Sequence, residues 1–214
     1  MTFSAILVAG GRGTRMNSLT PKQFLPLKGK AVVLYSFETL AASPRISEII
    51  VVCDPIYRSL FPSSTPFAEP GVRRQDTVWN GLQLISPTSE FVLIHDSARP
   101  FLHSQDLDNV LDAAEEYGAA TLAAPVKNTI KESDENGFIV GTPDRSKLWE
   151  VYTPQVFRVP LIRKGFALAQ ERQITVTDDN ALVELIPHPI KLISGSTSNI
   201  KITTPEDWTL AQVL

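Results

Sequence analysis

The first 22 residues combine an apolar run with a glycine cluster, and this combination restricts the fold more than any other part of the sequence. Residues 3–8 are largely apolar and are followed by three glycines within residues 10–13. A short apolar run that ends in turn-forming residues is typical of a buried strand. Glycines allow backbone N–H groups to approach a ligand closely, and Arg15 and Lys22 lie nearby in the sequence. We therefore expect an anion site after the first strand, and the phosphate of a nucleotide is the anion that suits it.

Composition limits the kind of protein that this chain can be. The chain has 214 residues, of which 43% are hydrophobic, so we expect a single domain, residues 1–214, with a core that needs no disulfides. The net charge of −3 offers no general attraction for nucleic acid or an anionic membrane. The single cysteine, Cys53, lies in an apolar stretch and is expected to be a buried thiol. No signal peptide and no apolar stretch of about 18 residues is recognisable, so we expect a cytoplasmic protein.

Strand patterns alternate with helical patterns along most of the chain. Val78, Leu82 and Ile85, for example, would share one face of a helix. Gly118 is the expected C-cap of another helix. The alternation predicts an α/β fold with a Rossmann-like, mostly parallel, twisted sheet that has helices on both faces. The predicted strands cover residues 3–8, 49–53, 91–95, 119–124, 156–157 and 190–193; the predicted helices cover 31–42, 74–85, 104–117, 160–171, 178–186 and a segment from Pro205; residues 62–72 are expected to form a loop.

Residues 126–147 interrupt this alternation. Two short strand-like segments flank a polar turn that ends in Asn136-Gly137, a sequence that is common in hairpin turns. We interpret the segment as a β-hairpin arm that projects from the main sheet. Because an isolated hairpin is only marginally stable in water, the arm needs a surface to pack on, which a second copy of the chain in a dimer would supply.

The glycine loop matches neither of two common nucleotide-binding motifs. The P-loop requires Lys and then Ser or Thr after its last glycine, whereas Thr14 and Arg15 follow Gly13. The dinucleotide motif requires a third glycine where Met16 stands. A tight turn without a ligand is the alternative. Arg15 and Lys22 favour the phosphate site, because an arginine fork binds phosphate oxygens in pairs and a lysine adds a mobile charge.

Several short sequence blocks, including the glycine loop, occur in the same order as in one protein family and extend over almost the whole chain. They are Ala-Gly-Gly-Arg-Gly-Thr-Arg-Met at 9–16, Pro-Lys-Gln-Phe at 21–24, His-Asp-Ser-Ala-Arg-Pro at 95–100, Asp-Arg-Ser-Lys-Leu-Trp at 144–149, Thr-Pro-Gln at 153–155, Thr-Asp-Asp at 177–179 and Asn-Ile-Lys-Ile-Thr at 199–203. Together they resemble the sugar nucleotidyltransferase superfamily and, within it, the cytidylyltransferases that act on small polyol phosphates. The block at 144–149 is more similar to the branch that uses 2-C-methyl-D-erythritol 4-phosphate, in non-mevalonate isoprenoid synthesis, than to the branch that uses ribitol 5-phosphate. The latter is the alternative substrate.

The resemblance implies a reaction between CTP and a polyol phosphate that releases pyrophosphate. It implies that Arg15 and Lys22 are catalytic, because they would stabilise the charge that grows on the triphosphate. The family pattern Gly-Gly-x-x-Arg-x-x-Ser, which reads the cytosine, is changed here, since Pro70 replaces its first glycine and Thr77 its serine. The residues implied to bind CTP are Ala9, Gly10, Gly11, Gly13, Gly71, Arg74, Thr77 and Ser97.

A separate group is implied to hold the polyol phosphate, and it consists of Asp96, Arg99, Thr129, Arg145 and Lys201. Thr129 and Arg145 belong to the arm and would reach into the site of the other subunit of a homodimer. Mg²⁺ or another divalent cation is the implied cofactor, bound mostly through the phosphates of CTP with Asp96 as a protein ligand. A phosphate monoester has a second pKa near ~6 and is largely ionised at neutral pH, so no general base is required.

Most of these residues also have a purely structural interpretation. Asp96 and Arg99 could simply pair with each other, and Arg145 could be a solvated surface charge. Lys201 could be an edge-strand lysine that keeps the strand soluble. His95 is more typical of a buried hydrogen-bonding residue than of a base.

Helix capping is the corresponding interpretation for two other polar blocks. Asp76 or Thr77 could be the N-cap of the helix that follows, and the block at 177–179 could cap the helix predicted at 178–186. A catalytically silent nucleotide-binding protein of the same fold is the alternative from another functional class. Two separate phosphate-binding groups argue against it, because a binding module need not hold two phosphates.

Overall fold

The computed structural model describes residues 1–11, 13, 16 and 20–214 of the chain. Its strands are β1 (Phe3–Val8), β2 (Pro26–Leu27), β3 (Lys30–Ala31), β4 (Ile46–Val52), β5 (Phe67–Ala68), β6 (Phe91–Asp96), β7 (Ala119–Pro125), β8 (Glu132–Ser133), β9 (Ile139–Gly141), β10 (Trp149–Arg158) and β11 (Lys191–Ser194). Its α-helices are α1 (Val32–Ala41), α2 (Arg74–Leu82), α3 (Ser104–Tyr117), α4 (Val159–Glu171), α5 (Asn180–Val183) and α6 (Pro205–Val213). Short 3-10 turns lie at Lys22–Phe24, Pro55–Leu60 and Arg145–Lys147. None of the described helices is long and apolar enough to cross a lipid bilayer.

The main sheet has seven strands in the order β11-β7-β10-β6-β1-β4-β5. β1 is parallel to β4 and β6, and β11 is parallel to β7, whereas β10 is antiparallel to both of its neighbours. The predicted mostly parallel sheet is confirmed, with β10 as a reversed strand inside it. Val8 is opposite Asp96 in the β1–β6 register, so the loops after these two strands leave the sheet at the same edge. Open α/β sheets bind their ligands at this edge.

The central strands are buried on both faces. Leu7 belongs to an apolar cluster on one face of the sheet, and Ile6 belongs to a second cluster on the other face. Burial on two faces explains why β1 and β6 are continuous apolar runs rather than alternating patterns. Cys53 lies in the first cluster and is fully buried, which raises the pKa of its thiol to about 11. The prediction of a buried, unreactive thiol is confirmed.

The predicted helices 31–42, 74–85, 104–117 and 160–171 correspond to α1 to α4. Gly118 has a φ of 81° at the C-cap of α3, as its position after the helical pattern predicts. Two local predictions are wrong. The helix predicted at 178–186 is limited to α5, because Pro187 follows closely and disfavours a helical conformation before it. The loop predicted at 62–72 contains β5, which pairs with the edge of β4.

The segment 126–147 contains the predicted hairpin. β8 and β9 pair in a two-stranded sheet that is separate from the main sheet. The Asp134 carboxylate accepts the backbone N–H groups of Asn136 and Phe138, and Gly137 has a φ of 83°, which explains why this turn needs a glycine. Phe138, Ile139 and Val140 are 71%, 66% and 64% exposed. The hairpin is therefore confirmed, and its role in dimerisation stays a prediction.

Candidate active site at the carboxyl edge of the sheet

A cavity of about 580 Å³ lies where β1 and β6 end. This volume is typical of small-molecule sites. The glycine loop, the turn at Lys22–Phe24, the start of α2, the residues after β6 and the segment before α6 all contribute to its lining. Of the residues predicted from the sequence, the lining includes Gly10, Gly11, Gly13, Lys22, Gly71, Arg74, Thr77, Asp96, Ser97 and Lys201.

The shape of the glycine loop is held by Gln23, to which the sequence analysis assigned no role. The Gln23 Nε2 group donates to the carbonyl oxygens of Ala9 and Gly11, both at 2.7 Å. Gln23 is buried, so these hydrogen bonds are protected from water. Ala9 itself is buried behind the lining, where its N–H donates to the Val52 carbonyl at 2.9 Å. Ala9 therefore supports the loop, and the glycines after it form the surface of the cavity.

Lys22 and Gly13 lie against each other at one side of the cavity. Gly13 has a φ of 65°, and a Cβ at this position would lie 3.2 Å from the backbone nitrogen of Lys22. Glycine tolerates both the left-handed conformation and the close approach. Lys22 is only 9% exposed although it is charged, and it lines the cavity. Arg15, the other predicted catalytic residue, lies outside the described residues, and its role stays a prediction.

Asp96 lies between two cations at the end of β6. Its Oδ1 atom is 3.0 Å from Arg74 Nε, and its Oδ2 atom is 2.7 Å from Lys201 Nζ. Burial would raise the pKa of Asp96, but the charges of Arg74 and Lys201 lower it well below its usual range. The carboxylate is therefore ionised at all physiological pH values. Lys201 lies in a loop before α6, so its prediction as a strand residue is wrong.

Arg99 does not form the simple pair with Asp96 that was one interpretation of the sequence. Its Nη1 group donates to the Asn199 carbonyl at 2.7 Å, and its guanidinium lies over the Tyr152 ring at 5.0 Å. Arg99 is buried and lies outside the cavity lining among the described residues. The structure thus places Arg99 where it supports the segment that carries Lys201.

His95 is a buried hydrogen-bonding residue, as the sequence suggested. Its Nε2 group is 3.2 Å from the Arg99 carbonyl, which can only accept, so Nε2 carries the proton. Thr153 Oγ1 accepts the N–H of Asp96 at 3.0 Å and donates to His95 Nδ1 at 3.1 Å. Burial lowers the pKa of His95 to about 4, so the ring is neutral at pH 7. This network holds the backbone of Asp96.

The N-cap of α2 is not the residue that the sequence predicted. Arg73, rather than Asp76 or Thr77, is the N-cap residue, and Asp76 Oδ2 accepts the Arg73 backbone N–H at 3.0 Å. The Thr77 hydroxyl accepts the N–H of Gly71 at 3.1 Å and donates to the Arg73 carbonyl at 3.0 Å. Both side chains therefore shape the loop that precedes the helix.

Asp179 is a second carboxylate that the sequence analysis did not connect with the site. It occupies the N-cap position of α5, yet its Oδ2 atom lies 2.8 Å from Arg74 Nη1. Asp178 is the residue that accepts from the helix, through the N–H of Ala181 at 3.2 Å. Gln155 joins this loop to β10, because its amide accepts from Asp179 N and donates to Asp178 Oδ2, both at 2.9 Å.

The two predicted arm residues lie away from the cavity of their own chain. Thr129 and Arg145 are exposed, and neither is part of the described lining. Arg145 Nη1 donates to the Lys127 carbonyl at 2.9 Å, which anchors the side chain within the arm. The predicted role of these two residues in substrate binding stays a prediction.

Comparison with known proteins gives consistent matches over the whole chain. The family described as 2-C-methyl-D-erythritol 4-phosphate cytidylyltransferase matches residues 3–214. A relative of that name from Oryza sativa subsp. japonica, described as chloroplastic, is 47% identical over 100% of this chain and 74% of its own length. The relative of that name from Chlamydia pneumoniae is 45% identical over 99% of this chain and 98% of its own length.

Solved structures show the same fold. The 4-diphosphocytidyl-2C-methyl-D-erythritol synthase of Anaerococcus prevotii superimposes with a TM-score of 0.87 at 28% identity, over 99% of this chain and 97% of that one. The 2-C-methyl-D-erythritol 4-phosphate cytidylyltransferase of Thermus thermophilus gives a TM-score of 0.83 at 31% identity, over 100% and 98% of the two chains. The similarity in fold therefore extends over almost the full length of each chain.

Proposed function

The chain belongs to the 2-C-methyl-D-erythritol 4-phosphate cytidylyltransferase family, and we propose on that basis that it transfers the cytidylyl group of CTP to 2-C-methyl-D-erythritol 4-phosphate. The products are 4-diphosphocytidyl-2-C-methyl-D-erythritol and pyrophosphate, in non-mevalonate isoprenoid synthesis. The observation that carries the proposal is the lining of one cavity, which brings the glycine loop and Lys22 together with Asp96 and Lys201.

The reaction is a nucleotidyl transfer between two anions. A phosphate oxygen of the polyol attacks the α-phosphorus of CTP, the new P–O bond forms, and the bond to the β-phosphate oxygen breaks with release of pyrophosphate. The attacking oxygen needs no deprotonation, because a phosphate monoester is already largely ionised at pH 7. His95 is buried, and burial lowers its pKa to about 4, so its ring is too weak a base and too inaccessible to act as one. Catalysis then depends on positioning and on charge neutralisation.

The CTP side of the site contains the backbone of the glycine loop. We assign the triphosphate to the N–H groups of Gly10, Gly11 and Gly13 together with Lys22 and Arg15. Gln23 supports this assignment, since it holds the carbonyls of Ala9 and Gly11 and so leaves less of the loop to be ordered when CTP binds. The nucleoside is assigned to Gly71, Arg74, Thr77 and Ser97.

The polyol phosphate is assigned to the side that holds Asp96 and Lys201. Lys201 is paired with Asp96 at 2.7 Å, so the substrate phosphate would share this ammonium group with the carboxylate. The hydroxyls of the polyol would donate to the Asp96 carboxylate. Arg99 acts as a positioning residue, because it holds the Asn199 carbonyl two residues before Lys201.

The arm completes the same side in a proposed homodimer. Three consecutive apolar residues, Phe138 to Val140, are more than half exposed on the arm, and a second copy of the chain would cover them. Thr129 and Arg145 of one protomer would then reach the polyol phosphate in the other. The partners of the chain are therefore CTP, the polyol phosphate and a second copy of itself, and the proposed compartment is the cytoplasm.

A divalent cation, with Mg²⁺ as the preferred candidate, fits the donor set of this cavity. Asp96 is the only carboxylate in the described lining, and the described residues contain no cluster of three or more metal-ligating side chains. One carboxylate and several phosphate oxygens is the usual environment of Mg²⁺, so CTP would supply most of the ligands. The ion would neutralise charge on the triphosphate, while Lys22 and Arg15 neutralise the rest.

An assay of pyrophosphate release tests the proposal. The folded protein is incubated with CTP, Mg²⁺ and each polyol phosphate in turn. We expect pyrophosphate with 2-C-methyl-D-erythritol 4-phosphate and little with ribitol 5-phosphate. Release with neither compound would identify a catalytically silent nucleotide-binding protein instead.

A further inference from the structure

Two side chains occupy the space beside Gly10, the first glycine of the cavity lining. A Cβ at Gly10 would lie 2.5 Å from Pro70 Cβ, 3.0 Å from Pro70 Cγ and 3.3 Å from Thr77 Cγ2. Carbon atoms make contact at about 3.5–4.0 Å, so the first two separations leave no room for a side chain. Gly10 therefore packs directly against the proline ring and the threonine methyl group.

Both side chains belong to residues 70–77, the segment that we assign to the nucleoside. Two hydrogen bonds, one on each side of Pro70, connect the start of this segment to α2. The Glu69 carbonyl accepts from Asn80 Nδ2 at 2.9 Å, before the proline. The Gly71 N–H donates to Thr77 Oγ1 at 3.1 Å, after the proline. The proline ring is thus held between two hydrogen bonds, and it faces the glycine loop.

We propose that Pro70 and the γ-methyl group of Thr77 are positioning groups that fix the glycine loop against the loop at residues 69–73, which precedes α2. The two loops would then keep a constant separation before CTP arrives, and less ordering free energy would be lost on binding. Pro70 and Thr77 are also the two positions at which the block departs from the family pattern. Both departures add carbon atoms next to the vacant Cβ position of Gly10.

This inference rests on the proposed function, since it concerns the CTP side of the same site. It can be tested separately, however, because CTP binding can be measured without turnover. The dissociation constant of CTP should depend on the Gly10–Pro70 contact. The KM for the polyol phosphate should change much less, because neither Gly10 nor Pro70 is among the residues that we assign to the polyol phosphate.

The sharpest test is a double-mutant cycle that uses Gly10→Ala and Pro70→Gly, with the CTP dissociation constant measured by calorimetry. In the wild-type background, Gly10→Ala should weaken CTP binding by about tenfold or more, because the new methyl group overpacks against the proline ring. In the Pro70→Gly background, the same change should cost no more than about threefold, since Thr77 Cγ2 at 3.3 Å is then the nearest neighbour. Equal factors in the two backgrounds would overturn the proposal.

Pro62→Gly is the matched control for this cycle. Pro62 lies in the same connection between β4 and α2, but it is exposed. The tenfold effect of Gly10→Ala should therefore persist in the Pro62→Gly background. A loss of the effect there would mean that any flexible residue in the connection relieves it, which contradicts a specific contact with Pro70.

Thr77→Ser keeps the proposal testable if Gly10→Ala does not fold. The serine retains the hydroxyl and both of its hydrogen bonds but removes the methyl group. We expect CTP binding to weaken by about threefold, with the KM for the polyol phosphate unchanged within about twofold. Equal increases for both substrates, or no change for CTP, would reject the role of the methyl group. A failure of the proposed function is distinguishable, because it would show in the wild-type protein as absent transfer.

Discussion

Arg74 and Asp179 form an ion pair beneath the candidate site, with 2.8 Å between Arg74 Nη1 and Asp179 Oδ2. Asp179 is 1% exposed, and Arg74 also contacts Asp96 through Nε. Burial raises the pKa of Asp179, and the charge of Arg74 acts in the opposite direction. Arg74 therefore connects the first turn of α2, the end of β6 and the loop before α5, and its guanidinium is held from two sides.

Asp179→Asn should remove one of the two carboxylate contacts that hold the Arg74 guanidinium. Removing one partner of a buried pair leaves the other charge less compensated, so we expect the free energy of unfolding to fall by about 3 kcal/mol. Asp112→Asn is the matched control, because Asp112 pairs with Arg45 at 2.6 Å but its side chain is 71% exposed. An exposed pair contributes less than about 1 kcal/mol. Equal losses in urea unfolding of the two variants would contradict a special role for the buried pair.

His95 should make stability depend on pH. The pKa of His95 is lowered to about 4 in the folded state, from an ordinary value of 6.5. The unfolded chain therefore binds the proton first, and the stability present above pH 6.5 is lost as the pH falls towards 4. Between pH 7 and pH 5, this loss is about 2 kcal/mol in urea unfolding.

The variant His95→Gln should lack the pH-dependent loss that His95 causes, so its free energy of unfolding should change less between pH 7 and pH 5. His103→Gln, at an exposed position, is the matched control. If wild type and His95→Gln lose the same amount of stability between pH 7 and pH 5, the neutral ring and its hydrogen bonds to Thr153 and Arg99 are not the cause.

Lys201→Ala should affect one substrate more than the other. The ammonium group is paired with Asp96 in the cavity, and we assign it to the polyol phosphate. We expect the KM for the polyol phosphate to rise by at least about tenfold, because a charge-assisted contact to phosphate is lost. The KM for CTP should change much less. Lys164→Ala, an exposed change on α4, should alter neither value. Equal increases for both substrates would remove the proposed role of Lys201.

Heterodimers test whether the arm acts across the subunit interface. Lys22→Ala alone should lower turnover by at least ~10²-fold, the effect of losing one charge partner of the transition state. In a heterodimer of a Lys22→Ala chain and an Arg145→Ala chain, purified through two different tags, one site would be intact if Arg145 acts on the partner. We then expect about half of the wild-type activity.

The control places both changes on one chain and pairs it with a wild-type chain. If Arg145 acts on the partner, each site of this heterodimer carries one of the two changes, and activity should be close to the mean of the Lys22→Ala and Arg145→Ala homodimers. If the arm instead acts within its own chain, the control heterodimer should keep about half of the wild-type activity, and the heterodimer with the two changes on different chains should keep little. Absence of a dimer in sedimentation would also contradict the proposed arrangement.

Much of the fold could be predicted because the relevant signals are local. The apolar run at 3–8, the helical pattern at 104–117 with Gly118 after it, and the turn at Asn136-Gly137 each specify an element from neighbouring residues. The glycine loop is of the same kind, since a chain reversal close to a ligand requires glycine wherever it occurs. The predicted strand, helix and turn are confirmed, apart from shifts at the element boundaries, and the ligand of the glycine loop stays a prediction.

The remaining features depend on contacts between distant parts of the chain. The ion pair of Arg74 with Asp179 forms because α2 and the loop before α5 meet under the sheet edge, and the local sequence of Thr177-Asp178-Asp179 indicates only a cap. The position of β10 between β6 and β7 likewise follows from sheet order and not from its own composition. Arg99 could be predicted as part of a motif, but its direction towards Asn199 could not.

A competition experiment tests the central claim most directly. The folded protein is supplied with CTP and Mg²⁺ together with equal amounts of 2-C-methyl-D-erythritol 4-phosphate and ribitol 5-phosphate, and the nucleotide products are identified by mass spectrometry. The account predicts 4-diphosphocytidyl-2-C-methyl-D-erythritol as the main product, with one pyrophosphate released for each molecule formed. A main product that contains ribitol, or unchanged CTP in the presence of both polyols, would contradict it.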